Sequence, residues 1–211
     1  MKNKRRFRRV TVQATLAEVF PMLGAQISWP NHETSEILDL SYKGFAVRRP
    51  GLFPVAVQQR VLIAVELGGV PTFTLEARIA WCYLESLGLD VAGFSAEGHA
   101  AMSFYLGAKL LGSKLRPVER IFVAKGQSFQ YWYQAGDTHV FVWMNAQKRI
   151  ERVDVSFSGE VVALNRGDRL EQPSANERRA LLLLSQMDKD SLPMEEFVRS
   201  LASVSAKAIG V

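Results

Sequence analysis

The chain has 211 residues, 48% hydrophobic and 22% charged, which excludes a disordered or low-complexity protein and fits one large domain or two small ones. The formal net charge is +5, but six of the 26 basic residues lie in the first nine positions. The rest of the chain has 20 basic and 21 acidic residues and is nearly neutral, which disfavours a broad nucleic-acid-binding surface. A single cysteine excludes an intrachain disulfide, and no apolar run approaches the roughly 20 residues of a membrane span, so we expect a cytoplasmic protein.

Residues 10–94 have the pattern of strands separated by turns. Residues 61–67 form a more continuous apolar run, and 87–94 alternate between apolar and polar residues. The segment FTLEARIAW alternates most clearly, and its inward-facing residues are expected to be Phe73, Leu75, Ala77, Ile79 and Trp81. Several short strands at this spacing, punctuated by Gly and Pro, predict a small β-barrel or sandwich.

The hydrophobic period becomes helical after residue 94. One face of the predicted helix carries Ala100, Phe104, Ala108, Leu111 and Leu115. Pro117 is expected to end this helix, and we place a domain boundary between residues 116 and 117.

The rest of the chain predicts a small α+β module. Residues 129–145 indicate two aromatic-rich strands around an Ala-Gly-Asp turn, and 152–164 indicate a third strand or hairpin arm. Ser174 and Glu177 have the spacing of a capping box that opens a helix. A second helix is expected after Pro193, and the two helices predict an αα-hairpin.

The first nine residues, MKNKRRFRR, contain no acidic residue. Arg5 and Arg9 are four residues apart and share a face in a helix or in an extended chain. Guanidinium groups bind phosphate and guanine in a bidentate manner and stack on bases. The alternative interpretation is a solvated basic arm that touches anionic surfaces.

The run DLSYKG follows about thirty residues later. Strand alternation predicts that Leu38 and Leu40 point inward while Asp39 and Ser41 point outward side by side. Gly44 ends the run, where we expect a positive φ. Because a carboxylate repels phosphate, Asp39 is expected to accept N–H groups of a guanine or to hold an arginine. The alternative is an ordinary strand end with local side-chain-to-backbone bonds.

The pair RxxxR at 5–9 and DxSxxG at 39–44 resembles the signature of the PilZ family, over roughly residues 1–113. The resemblance implies a six-stranded β-barrel with a closing helix that binds cyclic di-GMP, a bacterial second messenger. Carried over by that resemblance, the ligand-binding residues are Arg5, Arg9, Asp39, Ser41 and Gly44, with Arg6, Arg8 and Lys4 as further candidates.

The predicted fold is therefore mainly β with α. A PilZ-like domain with a basic N-terminal arm occupies residues 1–116, and an α+β module suited to a protein partner occupies 117–211. No metal, catalytic group or cofactor is expected beyond the cyclic di-GMP ligand, because no nucleophile, paired acid and base, or metal-ligand spacing is present. The alternative function is a degenerate PilZ-like interaction module that does not bind nucleotide.

The same two patterns occur a second time, as RxxxR at 116–120 and DxSxxG at 154–159. A degenerate repeat and a coincidence both stay open. We favour an ordinary half-buried strand at the second DxSxxG, with inward residues Val153, Val155 and Phe157.

Overall fold

A computed structural model describes residues 10–11, 20, 23–119, 129–187 and 192–202 of the chain. The chain divides into two compact units, Met1–Gly107 and Ala108–Val211. The functional division after residue 116 stays a prediction. Among the described residues, no helix is both long enough and apolar enough to cross a membrane.

The described residues form twelve strands and three helices. The strands are β1 (Val10–Thr11), β2 (Ala25–Ser28), β3 (Thr34–Ser41), β4 (Gly44–Arg48), β5 (Arg60–Leu67), β6 (Phe73–Cys82), β7 (Ser86–Val91), β8 (Arg116–Pro117), β9 (Tyr131–Ala135), β10 (Thr138–Met144), β11 (Ile150–Phe157) and β12 (Glu160–Asn165). The helices are α1 (Ala96–Gly112), α2 (Ala175–Leu184) and α3 (Met194–Ser200).

Strands β2 to β7 form a closed antiparallel barrel. They are ordered β3-β2-β5-β6-β7-β4, and β4 pairs back onto β3 to complete the ring. The short strand β1 pairs with the second half of β3, whereas β2 pairs with its first half. The prediction of a six-stranded barrel followed by a helix, a further set of strands and two helices is confirmed.

The barrel interior consists of residues that alternate along the strands. In β5, Val61, Ile63 and Val65 are buried, and the residues between them are exposed or half-buried. Strand β6 alternates in the same way from Phe73 to Ile79, as the sequence predicts. Removing each large aliphatic side chain from water contributes about 1.5–3 kcal/mol. The period of two in the sequence therefore determines which strand face closes around the core.

The expected alternation is wrong at Trp81. Ile79 pairs with Leu89, but Trp81 pairs with Gly88, so Ala80 is an extra residue in a β-bulge. The bulge turns Trp81 to the outer face, where it is half-buried. A Cβ on Gly88 would collide with the indole, which shows how closely the ring lies on the strand.

Helix α1 also differs from its prediction. It ends at Gly112, before Pro117, and Ala100 is exposed while Phe104 is half-buried. The buried side chains of the helix are Ala101, Met102, Tyr105, Leu106, Ala108 and Lys109. The predicted face is wrong because two long side chains with polar ends, Tyr105 and Lys109, occupy interior positions that the pattern assigns to solvent.

The second unit contains a five-stranded antiparallel sheet, ordered β12-β11-β10-β9-β8. Helix α2 contacts β12 and α3 contacts β11. The predicted aromatic hairpin is β9–β10, and the predicted third arm is the β11–β12 hairpin. The capping box is present, since the Ser174 hydroxyl accepts from the Glu177 N–H at 3.3 Å and the Glu177 carboxylate accepts from the Ser174 N–H at 2.7 Å.

The second DxSxxG segment does not reproduce the geometry of the first. Asp154 is 8% exposed and accepts two hydrogen bonds from Arg152, at 2.7 and 2.8 Å. Gly159 lies inside the turn after β11 with φ at 83°, whereas Gly44 begins a strand. The segment is a half-buried strand as expected, with buried Val153, Val155 and Phe157. Arg120 of the second RxxxR lies outside the described residues.

Candidate functional site

The β3–β4 hairpin carries the segment DLSYKG. The pairing register shifts between Ile37 and Asp39, so Leu38 is an extra residue in a β-bulge. The alternation expected here is wrong at Leu38, which is half-buried rather than buried. Leu40 is fully buried as expected, and Ser41 lies on the outer face with Asp39, although it is only 3% exposed.

Ser41 and Gly44 shape this hairpin. The Ser41 hydroxyl donates to the Gly44 carbonyl oxygen at 3.3 Å and accepts from the Lys43 N–H at 3.3 Å, which are bonds that stabilise a turn. Gly44 has a positive φ of 159°, as expected. Glycine is needed for another reason, because a Cβ would collide with the backbone carbonyl of Leu89 on β7.

Strand β1 brings the N-terminal segment to the same hairpin. Val10 lies opposite Leu40, and Thr11 lies opposite the half-buried Asp39. The structure thus joins the predicted DxSxxG positions to the backbone that directly follows the RxxxR motif. The remaining predicted site residues lie outside the described residues: Lys4, Arg5, Arg6, Arg8 and Arg9.

Outside the barrel, a row of directly paired residues crosses four strand boundaries. From β3 to β5 the row consists of Ser41, Gly44, Asp90, Arg78 and Arg60. A cleft of about 650 Å³ lies beside this row, and Lys43, Arg78 and Asp90 are among the residues that line it. The cleft therefore adjoins the hairpin turn.

The charges in the cleft are partly paired. Arg78 donates to Asp90 at 2.9 Å and to Gln58 at 3.1 Å, and Arg60 donates to Glu76 at 3.1 Å. Three cationic side chains and two carboxylates line the cleft, so its formal charge is positive. Ion pairs this exposed contribute about 0–1 kcal/mol, and a charged ligand can compete for them.

Trp81 adds an aromatic ring to the same outer face. Ala46 pairs with Asp39 on one side and with Gly88 on the other, and the Trp81 ring lies on Gly88. Only small residues thus separate the carboxylate from the indole. A carboxylate, an aromatic ring and arginines on one face suit a ligand that has a planar ring and phosphate groups. Within the described part of the chain, no three His, Cys, Asp or Glu side chains converge on a possible metal site.

Sequence reasoning did not identify Lys43, Arg78, Asp90 or Trp81 as site residues. Lys43 lies inside DLSYKG and Arg78 is an outward residue of FTLEARIAW, so each has the ordinary pattern of a solvated position. Only the cross-strand register places Lys43, Arg78 and Asp90 in one cleft and Trp81 on the same outer face, since no local pattern shows which residues lie opposite one another.

No protein-family model matches the sequence, and no curated protein matches it. Among solved structures, the chain is similar to the PilZ domain of YcgR from Escherichia coli, determined with c-di-GMP, at 15% identity and a TM-score of 0.37, covering 49% of this chain and 90% of that one. It is also similar to an uncharacterized Legionella protein at 12% identity and a TM-score of 0.33, covering 44% of this chain and 84% of that one.

Proposed function

We propose that the barrel is a non-catalytic receptor for cyclic di-GMP. The observation that carries this proposal is the pairing of Val10 with Leu40 and of Thr11 with Asp39. The RxxxR motif ends at Arg9, directly before Val10, and consecutive Cα atoms are about 3.8 Å apart. Val10 belongs to β1, which pairs with β3, the strand that bears Asp39. We therefore expect two motifs about thirty residues apart in the sequence to lie close together beside β3.

The chemistry of this edge supports a purine nucleotide. Arg5 and Arg9 would pair with phosphate or with guanine O6 and N7. Asp39 would accept guanine N–H groups, and a base would stack beside the half-buried ring of Trp81, which also contacts the Tyr83 ring at a centroid distance of 5.1 Å. Ser41 and Gly44 support the site indirectly, because they determine the shape of the hairpin that presents Asp39.

The proposed mechanism is an ordering of the N-terminal arm. Arg5 and Arg9, with Lys4, Arg6 and Arg8 beside them, close over the nucleotide when Asp39 holds its opposite side. A ligand shifts a protein between states only through contacts that differ between those states. The closed arm would then present a changed surface to a protein partner of residues 117–211, in the bacterial cytoplasm.

Calorimetric titration of cyclic di-GMP into the wild-type chain and Arg9→Ala tests the proposal. Loss of one buried charged contact costs about 2–5 kcal/mol, so Arg9→Ala should weaken binding roughly 30-fold to several thousand-fold. Lys2→Ala is the matched control, because it removes one positive charge from the same segment outside the motif. We expect Lys2→Ala to change the dissociation constant less than about 3-fold, because Lys2 lies outside the motif and would act only through its salt-screened charge.

Equal affinity of wild type and Arg9→Ala rejects the assignment of the motif. An equal loss of affinity in Arg9→Ala and Lys2→Ala indicates that the arm binds polyanions in general. A steep dependence of the affinity on salt concentration would support that interpretation.

A second candidate function is an interaction module that does not bind nucleotide. It is favoured by the hairpin itself, because the Ser41 hydroxyl is bonded within the turn and Gly44 is required by its approach to Leu89. The presence of serine at position 41 and of glycine at position 44 is therefore explained by the hairpin alone, without a ligand. A flat calorimetric titration of a well-folded wild-type chain would establish this candidate and exclude the receptor.

A further inference from the structure

The cleft beside the hairpin contains a charge arrangement that the stability of the barrel does not explain. Arg60 and Arg78 are directly opposite each other on β5 and β6. Like charges in directly opposed cross-strand positions are destabilising. Each arginine has its own acid, Glu76 at 3.1 Å and Asp90 at 2.9 Å, but the two guanidinium groups still share one small region of the surface. A bound anion would relieve the repulsion between them.

Arg78 is positioned by its neighbours in a way that suits the binding of such an anion. The side chain of Arg78 is 50% exposed. It donates two hydrogen bonds to neighbouring side chains, to Asp90 at 2.9 Å and to Gln58 at 3.1 Å. A guanidinium has five N–H donors, so these two bonds leave three for a ligand. Because Asp90 and Gln58 restrict its rotation, little side-chain entropy remains to be lost on binding.

The size and position of the cleft suit a small-molecule ligand that also contacts the hairpin. Its volume of about 650 Å³ lies within the range of roughly 300–1,000 Å³ found for small-molecule sites. Gly44 and Arg78 are separated by β7 alone, and strands are about 4.8 Å apart, so the arginine lies roughly 10 Å from the hairpin. A ligand held at Asp39 by one end can therefore reach this cleft over Gly44, which has no side chain to block it.

We propose that this cleft is part of the nucleotide site, and that Arg78 contacts a phosphate of the bound cyclic dinucleotide, with Lys43 at the rim of the cleft as a second cationic contact. This inference rests on the proposed receptor function and extends it to residues outside RxxxR and DxSxxG. In this proposal Arg78 determines part of the affinity for the cyclic dinucleotide, although it belongs to neither of the two motifs. Asp90 is a positioning residue, because it acts through the guanidinium that it orients.

The experiment is a titration of cyclic di-GMP into wild type, Arg78→Gln and Arg199→Gln. Arg199 is the matched control in the second unit, since it is also an arginine in one exposed ion pair, at 3.1 Å and with 49% of its side chain exposed. We expect Arg78→Gln to weaken binding at least 10-fold and Arg199→Gln to change it less than 2-fold. Lys43→Gln, at an exposed turn position, is expected to weaken binding about 3- to 10-fold, in line with a rim contact.

The outcomes separate the two proposals. Binding by wild type with unchanged affinity in both Arg78→Gln and Lys43→Gln overturns the role of the cleft and leaves the receptor function standing. Absence of binding by a folded wild-type chain overturns both. A loss of affinity in Arg78→Gln that Arg199→Gln reproduces shows a general charge effect and also overturns the role of the cleft.

Discussion

Lys109 provides a quantitative test of the energetics of this fold. It lies in helix α1 and is 0% exposed. Burial disfavours the charged ammonium and lowers the pKa of Lys109 from 10.5 to about 8. Because one pH unit corresponds to about 1.36 kcal/mol, this difference amounts to about 3 kcal/mol. At pH 7 the folded chain carries that cost in full.

The sign of the pH dependence follows from proton binding. Between pH 8 and 10.5 the amine is protonated in the unfolded chain but neutral in the folded one, so the unfolded state binds more protons and stability rises with pH. Tyr105 acts in the opposite direction at higher pH. Burial raises its pKa above 10, so its contribution to stability falls as pH increases beyond that value.

We predict that Lys109→Met stabilises the protein at pH 7 by about 1–3 kcal/mol, because methionine fills a similar volume without a charge. The free energy of unfolding should be measured by urea denaturation at pH 7, 8, 9 and 10. The advantage of the variant over wild type should decrease steadily from pH 8 to pH 10, and Tyr105 cancels in this difference. Lys114→Met, at an exposed position, is the control and should differ from wild type by less than about 0.5 kcal/mol.

Two results would refute this reasoning. A Lys109→Met variant less stable than wild type at pH 7 would mean that contacts of the ammonium outweigh the cost of its burial. A difference between variant and wild type that is constant from pH 7 to 10 would mean that Lys109 does not titrate differently in the folded and unfolded states.

Two glycines give further predictions by the same denaturation assay. Gly44→Ala should lower the free energy of unfolding by about 1–3 kcal/mol, because its Cβ would collide with the Leu89 carbonyl. The control Gly93→Ala meets nothing within 4 Å and should leave the stability unchanged. Similar stability of the two variants would contradict the close approach of Gly44 to Leu89. Gly112→Ala should also lower the free energy of unfolding by about 1–3 kcal/mol, because its Cβ would collide with the Leu183 carbonyl, although alanine favours a helix. Gly107→Ala, on the same helix with nothing within 4 Å, should gain about 0.5–1 kcal/mol, and a gain in both helix variants would show that Gly112 can move away.

Local patterns in the sequence were sufficient for much of the fold. The alternation from Phe73 to Ile79 identifies the inner face of β6, because side chains on a strand point to opposite sides in turn. The capping box at Ser174 locates the start of α2, because both of its hydrogen bonds join residues three positions apart. Such signals depend only on neighbouring residues, so they can be read before any tertiary contact is known.

Other features depended on distant partners. At Leu38 and at Ala80 one strand has an extra residue opposite its partner, and these bulges leave Leu38 half-buried and turn Trp81 outward against the expected alternation. Lys109 shows the same limit in a helix, since its polarity alone predicts an exposed position.

The sequence by itself determined the class of the fold, the positions of β5, β6 and β7, and the two short motifs RxxxR and DxSxxG. Only the tertiary structure decided why Gly44 must be glycine, since the answer lies in a carbonyl of Leu89, and only the register joined Arg60, Arg78 and Asp90 in one cleft. The physical reason is the same in each case. Hydrogen bonds between strands bring together residues that are widely separated along the chain, and no local pattern encodes which residue will lie opposite which.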